Sequence, residues 1–183
     1  MIDNKIIICD LDGCLIDSAW IWEVIKLQKF EKNIVFDFFN RNANAEANNI
    51  DLVLYKYLCF KASGGYKIHF LTARSEEIEI QTINFIQEKT GLLFGKEFTI
   101  SFRPFNDFSS AAESKKIRLE QMIANGKNII LAIDDDEEII DMYKTKGIPT
   151  LQWKIGYIPA CVALEFGGNL SLLINKNEPV SLN

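Results

Sequence analysis

Histidine is almost absent from these 183 residues, His69 being the single one, and cysteine occurs only four times. Cys9, Cys14, Cys59 and Cys161 form no C-x-x-C pair, so with one histidine the chain lacks the soft ligand set of a zinc site. Unclustered thiols of this kind fit a reducing compartment. No apolar stretch approaches the ~18 residues a membrane helix needs. The opening Met-Ile-Asp-Asn-Lys leads into an acidic segment, unlike a secretory signal. A cytoplasmic protein with no membrane partner is therefore expected, in which the sequon Asn169-Leu170-Ser171 stays unused. A basic surplus is missing too: the formal net charge is −5. That argues against a long, non-specific polynucleotide footprint, but not against a local basic patch around a small phosphate pocket. Repeats, low-complexity tracts and Pro/Gly-rich linkers are also lacking.

What is present is an ordinary globular composition, 48% hydrophobic and 25% charged, enough for one domain or one domain with a small appendage. Short apolar runs alternate with helical patterns, which points to an α/β domain with a largely parallel sheet. Strands are expected at residues 5–9, 67–71, 98–102, 128–133 and 150–153. Near-continuous runs such as Ile6-Ile7-Ile8 and Ile129-Ile130-Leu131 suggest strands covered on both faces. Ser75 followed by Glu76 and Glu77 reads as a helix N-cap. Ser110-Ala-Ala-Glu113 matches a capping box and predicts a helix over 111–124. A third helix follows Asp134 and stops at Lys146-Gly147, with Pro149 just beyond. Residues 1–153 form the expected core, interrupted after the first strand by a helical, aromatic-rich insertion at about 18–63. Residues 154–183 are an extension whose structure the pattern does not define.

The chemistry gathers at strand ends. The first strand runs into Asp10-Leu-Asp12-Gly13, and a turn at Gly13 would aim both carboxylates into one crevice at the carboxyl edge of the sheet, where open α/β folds bind ligands. Two carboxylates this close repel unless a cation lies between them, and a hard, oxygen-liganded cation fits Mg²⁺. A second acidic run, Asp134-Asp135-Asp136, follows the apolar strand at 128–133; alone it is as readily a helix cap as a site. Between the two, Thr72-Ala73-Arg74-Ser75 supplies a hydroxyl, a cation and a helix start, suited to an anion. On the helix at 111–124 the apolar stripe of Leu119, Met122 and Ile123 leaves Lys115 and Lys116 on either side, with Lys115 slightly the more inward.

In this order, D-x-D-G after a strand, Thr after the second, a helical Lys, then Asp-Asp after a later strand, the chain resembles the haloacid dehalogenase (HAD) phosphohydrolase superfamily over roughly residues 5 to 153. A narrower stretch, Ser101-Phe-Arg103-Pro104-Phe-Asn-Asp107 with Lys115 twelve residues after Arg103, is similar to the phosphatase half of phage-type polynucleotide kinase/phosphatases. That register favours Lys115 over Lys116. Two positions depart from the family pattern: Cys14 stands where Thr or Ser is usual, and Ala73 where Gly is usual. Gly91-Leu-Leu-Phe-Gly95-Lys96 is one residue short of a phosphate-binding loop and lacks the following Ser or Thr, so no kinase half is expected.

The resemblance implies a Rossmann-like sheet flanked by helices and a Mg²⁺-dependent phosphomonoesterase. Asp10 would be the nucleophile and Asp12 the general acid and base. Thr72, Ala73, Arg74, Arg103 and Lys115 would lie against the phosphate, and Asp10, Asp12, Asp134 and Asp135 around the metal. The implied substrate is a nucleic-acid 3′-phosphate end or a nucleotide. Alternatives are a nucleotidase or sugar-phosphate phosphatase, or a non-catalytic phosphate-binding protein of the same fold. His69 reads as a packed strand histidine. The aromatic residues of the insertion (Trp20, Trp22, Phe30, Phe36, Phe38, Phe39) read as core or cap packing, with base stacking as the alternative.

Overall fold

The computed structural model describes residues 5–166. Five parallel strands form the central sheet: β1 (Lys5–Cys9), β4 (Lys67–Ser75), β5 (Phe98–Arg103), β6 (Asn128–Asp134) and β7 (Thr150–Gln152). Their spatial order is β5-β4-β1-β6-β7. The chain thus builds outward from β1 on one side and then returns to its other side, which opens a crevice at the carboxyl end of β1. Alternation along the strands divides the core. Ile7, Cys9, Phe70 and Ile133 face one layer, and Ile6, Ile8, Leu71 and Ala132 face the other. Both faces are covered, as the continuous apolar runs require.

Helix α4 (Glu79–Thr90) packs on the Ile7 and Phe70 face of the sheet, and α5 (Ala111–Ala124) and α6 (Glu137–Thr145) pack on the opposite face. Ser110 caps α5, its Oγ accepting from the Glu113 N–H at 3.1 Å. Asp136 caps α6, accepting from the Glu138 N–H at 2.8 Å. β4 runs four residues past its expected end, and Ser75 caps a short 3₁₀ turn, Glu76–Ile78, rather than α4 itself. The buried stripe of α5 is Ser114, Lys115, Arg118 and Leu119, while Ile123 is exposed. Of the expected apolar face, Leu119 and Met122 pack inward and Ile123 alone turns out; the helix also turns polar residues inward because its first turns border the site. Gly91 ends α4 in the left-handed region, and no phosphate loop forms there.

The segment after β1 contains α1 (Ala19–Gln28), α2 (Lys32–Asn42) and α3 (Leu52–Ser63). It also contains a two-residue antiparallel ladder, β2 (Ile16–Asp17) with β3 (Asn49–Ile50), too short to leave a periodic signal in sequence. Asp51 caps α3, accepting from the Val53 and Leu54 N–H groups, and its other oxygen accepts from the Gly156 N–H at 3.1 Å. Beyond β7, α7 (Ala160–Glu165) packs Val162 into the main core, and Glu165 pairs with Lys61. The part of the extension past Phe166, with its sequon, lies outside the described residues.

Candidate active site

β1, β4 and β6 deliver Asp10, Thr72 and Asp134 to neighbouring strand ends. Asp10 follows β1 directly, and its N–H donates to the Ile133 carbonyl at 2.9 Å, which locks the ends of β1 and β6 together. Lys115 reaches in from α5 with its ammonium between two carboxylates, 2.7 Å from Asp10 Oδ1 and 2.8 Å from Asp134 Oδ2. Lys116 is exposed. All three partners are buried, so one ammonium serves two carboxylates and one negative charge is left over. Burial, with Asp134 and Asp12 adding to it, pushes the Asp10 carboxyl up despite Lys115. Burial opposes the charge on Lys115, but Asp10 and Asp134 outweigh it and hold the ammonium above the ordinary lysine value.

The remaining acids divide by task. Asp135 is raised to about 6 by burial and by Asp10. It approaches Gly13 so closely that a Cβ there would meet Asp135 Oδ2 at 2.4 Å, and Gly13 also holds φ +87°. Gly13 is therefore required twice, by turn and by contact. Asp136 points away and caps α6, so the acidic run is part site and part cap. Ligand atoms of Asp10, Cys14 and Asp135 lie within 4.8 Å of one another. Two hard carboxylate oxygens beside an uncompensated buried charge fit a divalent cation of the Mg²⁺ kind. The Cys14 thiol is raised by burial and by Asp10 and stays protonated, near Asp135. Asp134 instead turns one oxygen to Lys115 and the other to the Asp136 N–H.

Arg74 departs from the expectation. Its side chain is fully buried, and all five N–H donors are engaged. Nε and Nη2 hold Asp12 at 2.7 and 2.8 Å. Nη2 also donates to the Ala43 carbonyl at 2.8 Å, and Nη1 to Asn44 Oδ1 at 2.7 Å and Thr82 Oγ1 at 3.3 Å. With no donor left, it is a clamp for Asp12 and not a fork for phosphate. Each Asp12 oxygen accepts one N–H of the fork and keeps a further lone pair for a proton. Thr72 is fully buried, and its Oγ1 accepts from the Arg74 N–H at 3.1 Å, keeping its own O–H to donate.

Arg103 donates from Nε to the Ala73 carbonyl at 3.0 Å and from Nη1 to the Ser109 carbonyl at 2.8 Å. It thereby ties the Ala73 turn to the loop ahead of α5. Arg118, unmarked by any sequence reading, donates to the carbonyls of Thr72 at 2.7 Å and Ser101 at 2.8 Å and so fixes the ends of β4 and β5. The signal was its helical spacing, one turn past Ser114 and Lys115. His69 is held between Thr99 Oγ1 and Ser101 Oγ, and burial lowers it to about 4: a packed, neutral ring.

Above Asp10 and Asp12 opens a cavity of about 480 Å³. Ala73, Arg103, Ser109 and Asn40 contribute to its wall, and Trp22, Phe36 and Phe39 of α1 and α2 form its aromatic side. Trp20 instead donates from Nε1 to Asn48 Oδ1 and serves packing.

A search of curated protein sequences returns no significant match. Among solved structures, a chain of the Pnkp1/Rnl/Hen1 complex is similar at TM-score 0.63 and 20% identity, covering 85% of this chain and 47% of that one. This chain thus spans about half the length of that relative. The HAD domain of effector protein Lem4 from Legionella pneumophila gives TM-score 0.53 at 15% identity, covering 96% of this chain and 98% of that one. A HAD family enzyme from Bacteroides thetaiotaomicron, in complex with magnesium and inorganic phosphate, gives TM-score 0.50 at 16% identity, covering 87% and 98%. These likenesses establish the Rossmann-like, HAD-type fold. Since the model of one family matches residues 2–150, most of the sequence, the chain belongs to the HAD superfamily, subfamily IIIB (acid phosphatase).

Proposed function

We propose that the protein is a Mg²⁺-dependent phosphomonoesterase that works through a phosphorylated Asp10, on a nucleic-acid 3′-phosphate end or a nucleotide. The observation that carries this reading is the buried Asp10–Lys115–Asp134 bridge, 2.7 and 2.8 Å long, directly below the cavity. Lys115 holds Asp10 Oδ1, which leaves Oδ2 to attack phosphorus. As the Asp10–phosphorus bond forms, the ester P–O bond breaks and Asp12 passes a proton to the departing alkoxide. Asp12 then takes a proton from water, whose oxygen attacks phosphorus. Asp10 is released and inorganic phosphate leaves. Thr72 and Lys115 donate to the phosphoryl oxygens, and Arg74 keeps Asp12 aimed at the leaving group. Mg²⁺ held by Asp10 and Asp135, with Asp134 and the Asp12 region beside them, would supply charge neutralisation for those oxygens.

The nucleic-acid assignment rests on the Arg103-to-Lys115 spacing and on a likeness to a chain whose complex is described as an RNA repair complex. Asp10→Asn tests the mechanism. Turnover of p-nitrophenyl phosphate with Mg²⁺ should fall by at least roughly 10³-fold, with an unchanged circular dichroism spectrum. Retained turnover would reject Asp10 as nucleophile. A substrate panel of 3′-phosphorylated oligonucleotides, mononucleotides and sugar phosphates decides among the substrate classes, and preference for sugar phosphates would reject the nucleic-acid reading.

A further inference from the structure

Two buried arginines stand without a carboxylate. Arg103 and Arg118 are 4% and 7% exposed, and among the described residues neither forms an ion pair. Their acceptors are carbonyl oxygens and, for Arg118, the Ser114 hydroxyl as well. Burial, with the nearby Arg103 adding to it, lowers Arg118 to about 10, which still leaves it charged at neutral pH. Buried charges are ordinarily paired. Two unpaired cations beside a floor with a surplus of carboxylates therefore need a reason.

Their place in the sheet supplies one. β4 pairs with β5 at Leu71↔Ser101 and again at Ser75↔Arg103, so Thr72, Ala73 and Arg74 bulge against the single Phe102. The bulge takes their carbonyls off the ladder, and a buried carbonyl needs a donor. Arg118 Nη1 supplies it to Thr72 at 2.7 Å, and Arg103 Nε to Ala73 at 3.0 Å. Arg118 is itself locked one turn back, by the Ser114 carbonyl at 3.1 Å and hydroxyl at 3.3 Å. The peptides are all trans, so a peptide C=O and the following N–H point in opposite directions. With the Thr72 carbonyl turned to α5, the Ala73 N–H is turned away from it, and Ala73 forms part of the cavity wall.

We propose that Arg118 is a positioning residue for the phosphate group: it holds the Thr72 carbonyl so that the Thr72 hydroxyl and the Ala73 N–H meet the phosphoryl oxygens, and its unpaired charge offsets theirs. The proposal rests on the phosphatase reading above and deepens it. Thr72 is then fixed at both ends, its carbonyl by Arg118 and its Oγ1 by the Arg74 N–H at 3.1 Å. A phosphate dianion entering this floor meets one negative charge already left over from Asp10, Asp134 and Lys115. Cations bonded only to neutral oxygens behind the Thr72-Ala73 turn keep their charge for that moment, whereas Arg74 is neutralised by Asp12. Because Lys115 and Arg118 lie one turn apart on α5, a single helix delivers both.

The test titrates inorganic phosphate, with Mg²⁺, into isotope-labelled protein and follows backbone amides by NMR. In the wild type the Ala73 amide signal should shift as phosphate binds. Arg118→Met removes both donors and charge; it should weaken phosphate binding by about 10- to 100-fold and lose the Ala73 shift. Arg118→Lys restores the charge without the hold on two carbonyls, and its affinity should fall between the two. The kcat/KM for p-nitrophenyl phosphate should follow the same order. All readings are taken on folded protein, well below its melting temperature. A brace that only secured the strand ends would lower that temperature in Arg118→Met and leave phosphate affinity as in the wild type, which would overturn the proposal. An Ala73 signal unmoved by phosphate in the wild type would overturn it too. Should Arg118→Met not fold, Arg118→Lys decides, since wild-type affinity there would reject the positioning role. Failure of the wild type to hydrolyse any ester would overturn the phosphatase reading instead, and the phosphate titration would still judge Arg118.

Discussion

The floor of the cavity and its aromatic side are held by different forces. On the floor, Asp10, Thr72, Arg74 and Asp134 are buried toward strand ends with Lys115 reaching in from α5, and their charged groups are bridged at 2.7–2.8 Å. The aromatic side stands on α1 and α2, where rings meet at 5.1 Å or more and Trp22 stays partly in solvent. A buried charge network tolerates almost no displacement, because any carboxylate left unpaired pays its full desolvation cost. Loosely packed rings tolerate much more. The sheet therefore fixes the charged floor rigidly, and the insertion carries the aromatic side. The two regions meet at Arg74, which binds Asp12 on one side and Ala43 and Asn44, just past α2, on the other.

Substitutions can break this contrast, the largest effect coming from the floor. Lys115→Met leaves Asp10 and Asp134 buried without a cation and should cost about 3–5 kcal/mol of stability, with activity lost; chemical denaturation and turnover measure both. Lys116→Met, on the exposed neighbour, should change stability by less than about 0.5 kcal/mol. Arg74→Lys keeps the charge but loses the two-pronged hold on Asp12. It should lower kcat by up to about 100-fold through misplacement of the acid, and a wild-type kcat would show that the clamp does not position Asp12. The smallest expected effect is one of dynamics. Amide hydrogens of α1 and α2 should exchange at least about tenfold faster than those of β1 and β6, as weakly packed elements open more readily. Equal protection would erase the distinction between the two regions.

Much of the floor was legible because a buried strand that ends in a carboxylate announces both its burial and its chemistry. Ile6-Ile7-Ile8 before Asp10 and Ile129-Ile130-Leu131 before Asp134 are such cases, and the capping box at Ser110 gave the helix bearing Lys115. The role of Arg74 was not legible. Its position after β4 matched a phosphate contact equally well, and its true partners lie 30 and 62 residues away in sequence. Arg118 was hidden because a single arginine inside a helix looks like a solvated one until the carbonyls it caps are known. The rings of α1 and α2 showed their aromatic content but not their direction. Trp20 turns to Asn48 while Trp22 turns to the cavity, two residues apart on one helix.

The covalent step at Asp10 is the claim on which the account depends, and trapping tests it directly. A turnover mixture is quenched, treated with borohydride to reduce an aspartyl-phosphate to homoserine, digested, and read by peptide mass spectrometry. The account predicts homoserine at residue 10, dependent on substrate and absent in Asp10→Asn. An unmodified Asp10 throughout turnover, or homoserine at another aspartate, would contradict it.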